Sequence, residues 1–361
     1  MEDDPSQYEK SLMERITDPG ALENSISLFP EEKEYFFRFS RSASSDAVLP
    51  FAVTEYYLSL ISRETRGPLR RQCIPEIAEF SVLPYETPDP LYEEKFSPLP
   101  RMVHRYRDRI LVLVSDCCAM YCRHCFRRHF AGRGRGFLLF EEAENIAYYL
   151  KEHTEVHEVI LSGGDPLMLP DEKLGEFLAL LKIRRPVVFR LATRMPAVSP
   201  SRITESLINV LSLFKPLWIV TQFNHPREIT EESSSALTRF VEKGFPVLNQ
   251  TVLMKGINDK PEILALLFHR LLELSVKPYY LFQGDLASGT SHFRVPLEKS
   301  FTIYEALGKL VSGSALPVFA ADLPGGGGKI HLQKSSLKRK DEEGYVLTDS
   351  QGKEYCYPAE G

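Results

Sequence analysis

From residue 109 onward the apolar and polar positions fall into two alternating periods. Short apolar runs rich in β-branched residues occur at RILVLVS (109–115), EVILSGG (158–164), VVFRLAT (187–193), LWIVTQF (217–223), PVLNQTVLM (246–254) and PYYLFQG (278–284). Each is followed by a segment with helical spacing: FEEAENIAYYLKEH, DEKLGEFLALLKI, RITESLINVLSLF, TEESSSALTRFVEKG, PEILALLFHRLLEL and EKSFTIYEALGKLVSG. Six strands alternating with six helices predict βα units around a parallel sheet. No G-x-G-x-x-G follows the first strand, so an α/β barrel or partial (β/α)6 barrel is expected rather than a dinucleotide-binding sheet. Barrels of this kind place their chemistry at the C-terminal ends of the strands. Unusual residues stand at all six ends, in order SDCC, SGGDP, TR, QFNHP, KGIND and QGDLASG.

The flanks read differently. Residues 1–98 predict a helical N-terminal extension (PEEKEYFFRFSRS, AVTEYYLSLISRE) closed by the proline-rich connector LPYETPDPLYEEKFSPLP. The barrel core then spans 99–330, and the alternating tail 331–361 (YVLTD, KEYCYP) predicts a small β-rich hairpin. A chain of 361 residues can bury one large core with such extensions. With 43% hydrophobic and 26% charged residues and a net charge of −5, an overall basic nucleic-acid binder is excluded. The N-terminus, MEDDPSQYEK, is acidic and lacks an apolar run, so no signal peptide is expected. No membrane-spanning stretch of about 18 apolar residues is present either, and a cytoplasmic location is expected.

Four of the six cysteines fall between positions 117 and 125, in SDCCAMYCRHCFRRHF. In a chain without an export signal such a group reads as metal-binding or catalytic rather than as disulfides. Cys118, Cys122 and Cys125 have the spacing C-x3-C-x2-C on the loop after the first strand. Three thiolates so placed can hold three irons of a [4Fe–4S] cluster and leave the fourth iron open, as a catalytic centre needs. The alternatives are a zinc site completed by His124 or His129, without the usual second ligand pair, and an inert apolar cluster, which the polar YCRHCFRR argues against. Cys117 falls outside the spacing and is left off the cluster. The following run, RRHFAGRGRG (127–136), reads as a loop closing over the site rather than an RNA contact, given the negative net charge.

The second anomaly is DLPGGGGKIHL (322–332). It could be a flexible linker, a phosphate loop, or a permissive backbone that lets Lys329 form a Schiff base with pyridoxal phosphate. The Walker pattern fails, because Leu323 stands where glycine is needed and Ile330 where Ser or Thr is needed. Asp285 and Asp322 each follow an apolar stretch (PYYLFQG, ALPVFAA), where a barrel aims them at the site mouth. Two converging carboxylates need a cation, or they raise each other's pKa; the alternative is a pair of loop or capping aspartates.

The cysteine spacing after a barrel strand resembles the signature of the radical S-adenosylmethionine superfamily. That resemblance implies that the open iron chelates S-adenosylmethionine and that one electron cleaves it to a 5′-deoxyadenosyl radical. The loop Ser162-Gly163-Gly164-Asp165-Pro166 resembles the element that receives the methionine amino group, its glycines letting backbone approach the ligand and its acid accepting from an ammonium. Further, CAMYCRHC, HRYRDRILVLVSD, FNHPREIT, LNQTVLMKGIND, GDLASGTSHFR and PGGGGK resemble the lysine 2,3-aminomutase family over about 95–335. This implies an isomerase that moves the α-amino group of L-lysine to C3. Lys329 would carry pyridoxal 5′-phosphate, Arg109 would hold its phosphate, and Arg127 would pair with the substrate carboxylate. Asp285 and Asp322 would clamp the side-chain ammonium, and Gln250 would contact S-adenosylmethionine, although its strand position also suits a core hydrogen bond. Ser162, Asn224 and His225 are expected as secondary cofactor contacts. The implied partners are L-lysine and a one-electron reductant such as flavodoxin or ferredoxin, with room left for a homo-oligomer and no role for nucleic acid or membrane.

The chain departs from that pattern in three ways. Gln222 stands where the family usually has a histidine. Of a C-terminal zinc-binding cysteine group only Cys356 remains, so no zinc is expected. The chain is also shorter than the clostridial enzymes at both ends, nearer a relative that makes β-lysine for attachment to elongation factor P. That supply role is an alternative reading, as are an aminomutase for another amino acid and a non-catalytic iron–sulfur carrier.

Overall fold

A computed structural model of the chain describes residues 15–41, 48–61, 66–184, 186–333, 335, 337–341, 344–349 and 351–359. The acidic segment 1–14, from which the absence of a signal peptide was read, lies outside the described residues.

Four helices open the chain: α1 (Pro19–Ser25), α2 (Pro30–Arg41), α3 (Glu55–Ile61) and α4 (Pro68–Cys73). A β-hairpin of β1 (Met102–Tyr106) and β2 (Arg109–Ser115) then starts the main sheet. There follow α5 (Phe140–Glu152), β3 (Glu158–Gly163), α6 (Asp171–Arg184), β4 (Val188–Thr193), α7 (Glu205–Ser212), β5 (Leu217–Thr221), α8 (Glu231–Glu242), β6 (Val247–Val252), α9 (Pro261–Glu273), β7 (Lys277–Phe282) and α10 (Leu297–Leu307). β8 (Val318–Leu323) and β9 (Gly328–His331) close the sheet.

The nine strands lie in the order β9-β8-β7-β6-β5-β4-β3-β2-β1. β2 to β8 run parallel, and the two edge strands β1 and β9 are antiparallel to their neighbours. The expected partial barrel of six βα units is therefore present, with a seventh parallel strand, β8, formed by the apolar stretch ALPVFAA. The two edges of this open barrel are linked by one side chain: Tyr106 Oη in β1 accepts from the Lys329 amide in β9 at 2.9 Å.

Alternation along the strands sorts the two faces. In β6, Val247, Asn249 and Thr251 are buried, while Leu248, Gln250 and Val252 are half-buried on the other face. Asn249 exchanges hydrogen bonds with the backbone of Phe223 (2.7 and 3.2 Å). The core hydrogen bond considered for Gln250 is thus made by its neighbour, and Gln250 faces the barrel interior. The helices cover the outer face. In α8, Thr230 caps the first turn by accepting from Ser233 N–H, and Ala236, Leu237 and Phe240 are buried. Burying a side chain the size of Phe240 contributes about 1.5–3 kcal/mol.

The N-terminal extension packs on the barrel and continues its core. The proline-rich stretch after it is a strap rather than a spacer. Thr87 pairs with Ala287 as a parallel bridge, with Thr87 N–H donating to Leu286 O at 2.9 Å. Three glutamates seven residues apart, one just before it and two within it, fix its course: Glu79 pairs with Arg123 and Arg128, Glu86 with Arg294, and Glu93 with Arg127. Beyond β9, the tail forms a three-stranded antiparallel sheet of β10 (Leu337–Asp341), β11 (Gly344–Thr348) and β12 (Glu354–Tyr357), one strand more than a hairpin. Among the described residues no helix is long and apolar enough to cross a membrane.

Candidate active site

One cavity of about 600 Å³ runs inside the half-barrel, from the loops after the strands down to Arg109 and Glu158 at the strand starts. Its wall includes Cys118, Cys122, Cys125, Arg127, Ser162, Gly163, Gly164, Asp165 and Gln250. It also includes Arg109, Asp285, Asp322 and Lys329, so residues spread over more than 200 positions share one space.

At one end, the cysteine loop leaves β2 and is fixed from behind. Arg123, fully buried, donates to Glu79 (2.7 and 2.8 Å) and to the carbonyls of Leu49 and Pro50 (3.0 and 2.7 Å). All the described cysteines are free thiols. Burial, reinforced by the neighbouring cysteines, pushes Cys118 well above the usual thiol range and Cys125 up to about 11. Thiols in such a place ionise when a metal supplies the countercharge. All three line the same wall of one cavity. Three thiolates on one wall suit a cube, which takes one at each of three corners. Cys117 is off the wall, its Sγ 3.4 Å from Asp116 Oδ1.

The glycine loop at the end of β3 owes its composition to the cysteine loop. Gly163 has φ +123°, and a Cβ there would lie 2.3 Å from Ser115 O; at Gly164 a Cβ would lie 2.2 Å from Cys117 O. The close backbone approach expected toward a ligand is therefore first an approach of two loops. Asp165 also differs from expectation. Its carboxylate accepts from the amides of Leu167 (2.9 Å) and Arg194 (2.8 Å) and from Thr193 Oγ1 (2.8 and 2.9 Å), so its oxygens brace the third-strand loop instead of awaiting an ammonium. Burial still holds its pKa up, at about 6.

His124 and Gln222 face each other on the same wall, with Gln222 Nε2 3.1 Å from His124 Nε2. The amide donates, so the neutral imidazole carries its proton on Nδ1, which is buried without a partner. Burial and the charges of Arg194 and Arg128 hold His124 well below the usual histidine range. Asn224 and His225 are not on the wall. Asn224 Nδ2 donates to Gln72 Oε1 (3.0 Å) and its Oδ1 accepts from Val252 N–H (2.9 Å); His225 Nδ1 accepts from Arg227 N–H (3.2 Å). Their side chains brace the turn behind the cavity.

At the other end, β8 and β9 form a hairpin in which Asp322 and Lys329 are direct cross-strand partners. The glycine run is this hairpin's turn, not a linker: Gly326 has φ +81°, and a Cβ there would lie 2.9 Å from the Phe96 ring. Lys329 Nζ lies 4.0 Å from Asp322 Oδ2 and 4.4 and 4.8 Å from the ring centroids of Phe282 and Tyr280. Burial, and then the Asp322 carboxylate, push Asp285 up to about 8. Two arginines flank Lys329 from the β1–β2 hairpin. Arg109 bonds Asp108 at 2.7 Å, and Arg105 has its Nη2 buried without a partner, 3.8 Å from a Cβ built on Gly328. An unpartnered buried guanidinium nitrogen beside a lysine is suited to an anion.

Between the ends lies Arg127. Glu93 takes its Nε (2.8 and 3.1 Å) and Nη2 (2.7 Å), and Ser162 Oγ takes Nη1 (2.9 Å). Of the five N–H donors of a guanidinium, these bonds leave one on each Nη.

The model of the radical SAM superfamily matches residues 112–267. The L-lysine 2,3-aminomutase of Clostridium subterminale is 38% identical over 351 residues, 97% of this chain and 83% of that protein. The L-lysine 2,3-aminomutase of Fusobacterium nucleatum is 39% identical over 345 residues, 95% of this chain and 79% of that protein. The chain belongs to the lysine 2,3-aminomutase family of the radical S-adenosylmethionine superfamily. As a radical SAM aminomutase it is an isomerase whose chemistry depends on a [4Fe–4S] cluster, S-adenosylmethionine and a reductant. Glutamate 2,3-aminomutase of Clostridioides difficile is also similar, at 36% identity over 354 residues, 98% of this chain and 82% of that protein. Family membership therefore leaves the substrate side chain to the geometry. In this aminomutase the residues that sequence reasoning missed are Arg105, Glu93 and Arg194. Arg105 is in the motif HRYRDRI and Arg194 in the TR after the third strand, so a signal existed for both. Glu93 lay in what read as a connector.

Proposed function

We propose that this aminomutase moves the α-amino group of L-lysine to C3, giving β-lysine, with pyridoxal phosphate carried on Lys329. The observation that carries the reading is the half-buried pair Asp285 and Asp322 in the same cavity as Arg127. A basic side chain settles between the carboxylates while the carboxylate of the same amino acid takes the two remaining N–H groups of Arg127. Glutamate would bring a third carboxylate to the pair; two like charges 4 Å apart repel by about 4 kcal/mol at an effective dielectric constant of about 20.

Each group of residues has one task. Cys118, Cys122 and Cys125 hold the cluster, and Gly163, Gly164 and Gln250 line the place of S-adenosylmethionine beside it. Arg105 and Arg109 take the cofactor phosphate, and Tyr280 and Phe282 flank its lysine. When bound, the cluster and S-adenosylmethionine supply the hydrogen-abstracting radical, and pyridoxal phosphate carries the amino group as it moves. Asp322 neighbours both Lys329 Nζ and the substrate ammonium, so one carboxylate steadies both amines. Leu91 and Glu93 of the strap complete the wall and keep water from the reacting carbon.

The test is anaerobic incubation with dithionite, S-adenosylmethionine, pyridoxal phosphate and equal amounts of lysine and glutamate, followed by separation of α- from β-amino acids. β-Lysine in large excess is expected; β-glutamate as the main product overturns the substrate assignment.

A further inference from the structure

Arg194 is used by nothing in the reading above, yet its side chain is held by three hydrogen bonds. Its amide donates to Asp165 at 2.8 Å, its Nη2 to Glu228 Oε1 and Gln72 Oε1 at 2.6 Å each, and its Nη1 to Cys122 Sγ at 2.6 Å. Its side chain is 7% exposed and Glu228 is fully buried. Glu228 is itself fixed by Tyr57 Oη (2.9 Å) and by the amides of Asn224 (2.7 Å) and His225 (2.8 Å). A guanidinium pinned on its distal side by two acceptors has one orientation, and that orientation aims an N–H at a cysteine sulfur.

We infer that Arg194 sets the reduction potential of the iron–sulfur cluster through an N–H···S hydrogen bond to Cys122. The inference rests on the three-cysteine cluster and goes beyond it, because binding iron requires only the sulfurs. One-electron reduction adds negative charge to a cube already ringed by thiolates. A donor on a ligating sulfur stabilises that charge and raises the potential. Glu228 offsets the through-space charge of Arg194, so the directed hydrogen bond carries the effect rather than the net charge. Arg194 is a positioning residue in this sense: it acts through the Cys122 sulfur. The braces at Asn224 and His225, which are not on the cavity wall, serve the same device by holding Glu228.

The test is a dithionite titration of the reconstituted protein, followed by electron paramagnetic resonance, without S-adenosylmethionine, in wild type, Arg194→Met and Arg194→Lys. With iron content matched, Arg194→Met should hold about tenfold less reduced cluster at a fixed potential, a negative shift of about 59 mV. Arg194→Lys, which keeps the charge but not the fork, should fall between. An unchanged midpoint in Arg194→Met overturns the inference. A wild-type measurement covers the case in which that variant fails to load: pulsed resonance of the reduced cluster in protein carrying 15N-guanidino arginine. A 15N coupling is expected and its absence overturns the hydrogen bond. Wild-type protein that takes up no iron would instead remove the cluster itself, a different failure from an iron-loaded protein with an unmoved potential.

Discussion

The two ends of the cavity are built in opposite ways. At the cysteine end, the ligands come from one loop of eight residues, and the fold contributes rigidity: Glu79 holds Arg123 of the loop, and Arg194 donates to Cys122. At the lysine end, Asp285, Asp322, Lys329 and Arg109 come from four different strands or strand ends, and only closure of the sheet brings them together. A local site should therefore be sensitive to its own side chains, and an assembled one to the electrostatics among distant groups.

The largest effect is expected where the comparison is sharpest. Cys118→Ala should abolish 5′-deoxyadenosine formation while leaving the pyridoxal phosphate absorption band intact. Lys329→Ala should do the reverse, removing the borohydride-sensitive band while the protein still binds iron. Loss of both cofactors in either variant would show that the ends are not independent.

Next is Asp285→Asn. In the fold the Asp285 carboxyl titrates near 8, above its ordinary value of 3.8. Between these values the folded chain holds a proton that the unfolded chain has lost, so Asp285 lowers stability as pH rises through that window. Binding of an ammonium needs the ionised form. Lysine affinity should thus rise by up to about tenfold per pH unit toward pH 8 and then level off. Asp285→Asn should erase that slope and weaken lysine binding, while raising the melting temperature of the ligand-free protein at pH 8.5. Calorimetric titration at several pH values and thermal melts check both; a flat wild-type profile would break the electrostatic account of this end.

A smaller effect is expected at Gly164. Its missing Cβ would sit 2.2 Å from the Cys117 carbonyl, so Gly164→Ala should destabilise by about 1–3 kcal/mol in denaturant unfolding and reduce cluster loading. Smallest is Gln222→His. An imidazole can still face His124 Nε2, so 5′-deoxyadenosine formation should change by less than about threefold; a gain of an order of magnitude would show that the amide limits this chain.

The same contrast explains what the sequence revealed. The six βα units were legible because strand and helix periods differ, and the cysteine end because its ligands are close in sequence. Lys329, Asp285 and Asp322 stood out in the sequence but took their roles from the family resemblance; their own spacing left linker, phosphate-loop and capping readings open. Buried charge escaped notice most. Glu86 and Glu93 lay in what read as a connector, and nothing local shows that they meet buried arginines 208 and 34 residues away. Asn224, His225 and Asp165 were expected as cofactor contacts from motifs that resemble the family's. In the fold their polar atoms are taken up by backbone amides and by neighbouring Gln72 and Thr193, a demand that only tertiary structure defines.

The central claim is that both ends act on one substrate molecule inside one cavity. Lysine deuterated at C3, incubated anaerobically with the reduced holoenzyme, tests it most directly. The account predicts deuterium in the recovered 5′-deoxyadenosine together with β-lysine. β-Lysine formed while the 5′-deoxyadenosine stays free of deuterium would contradict it.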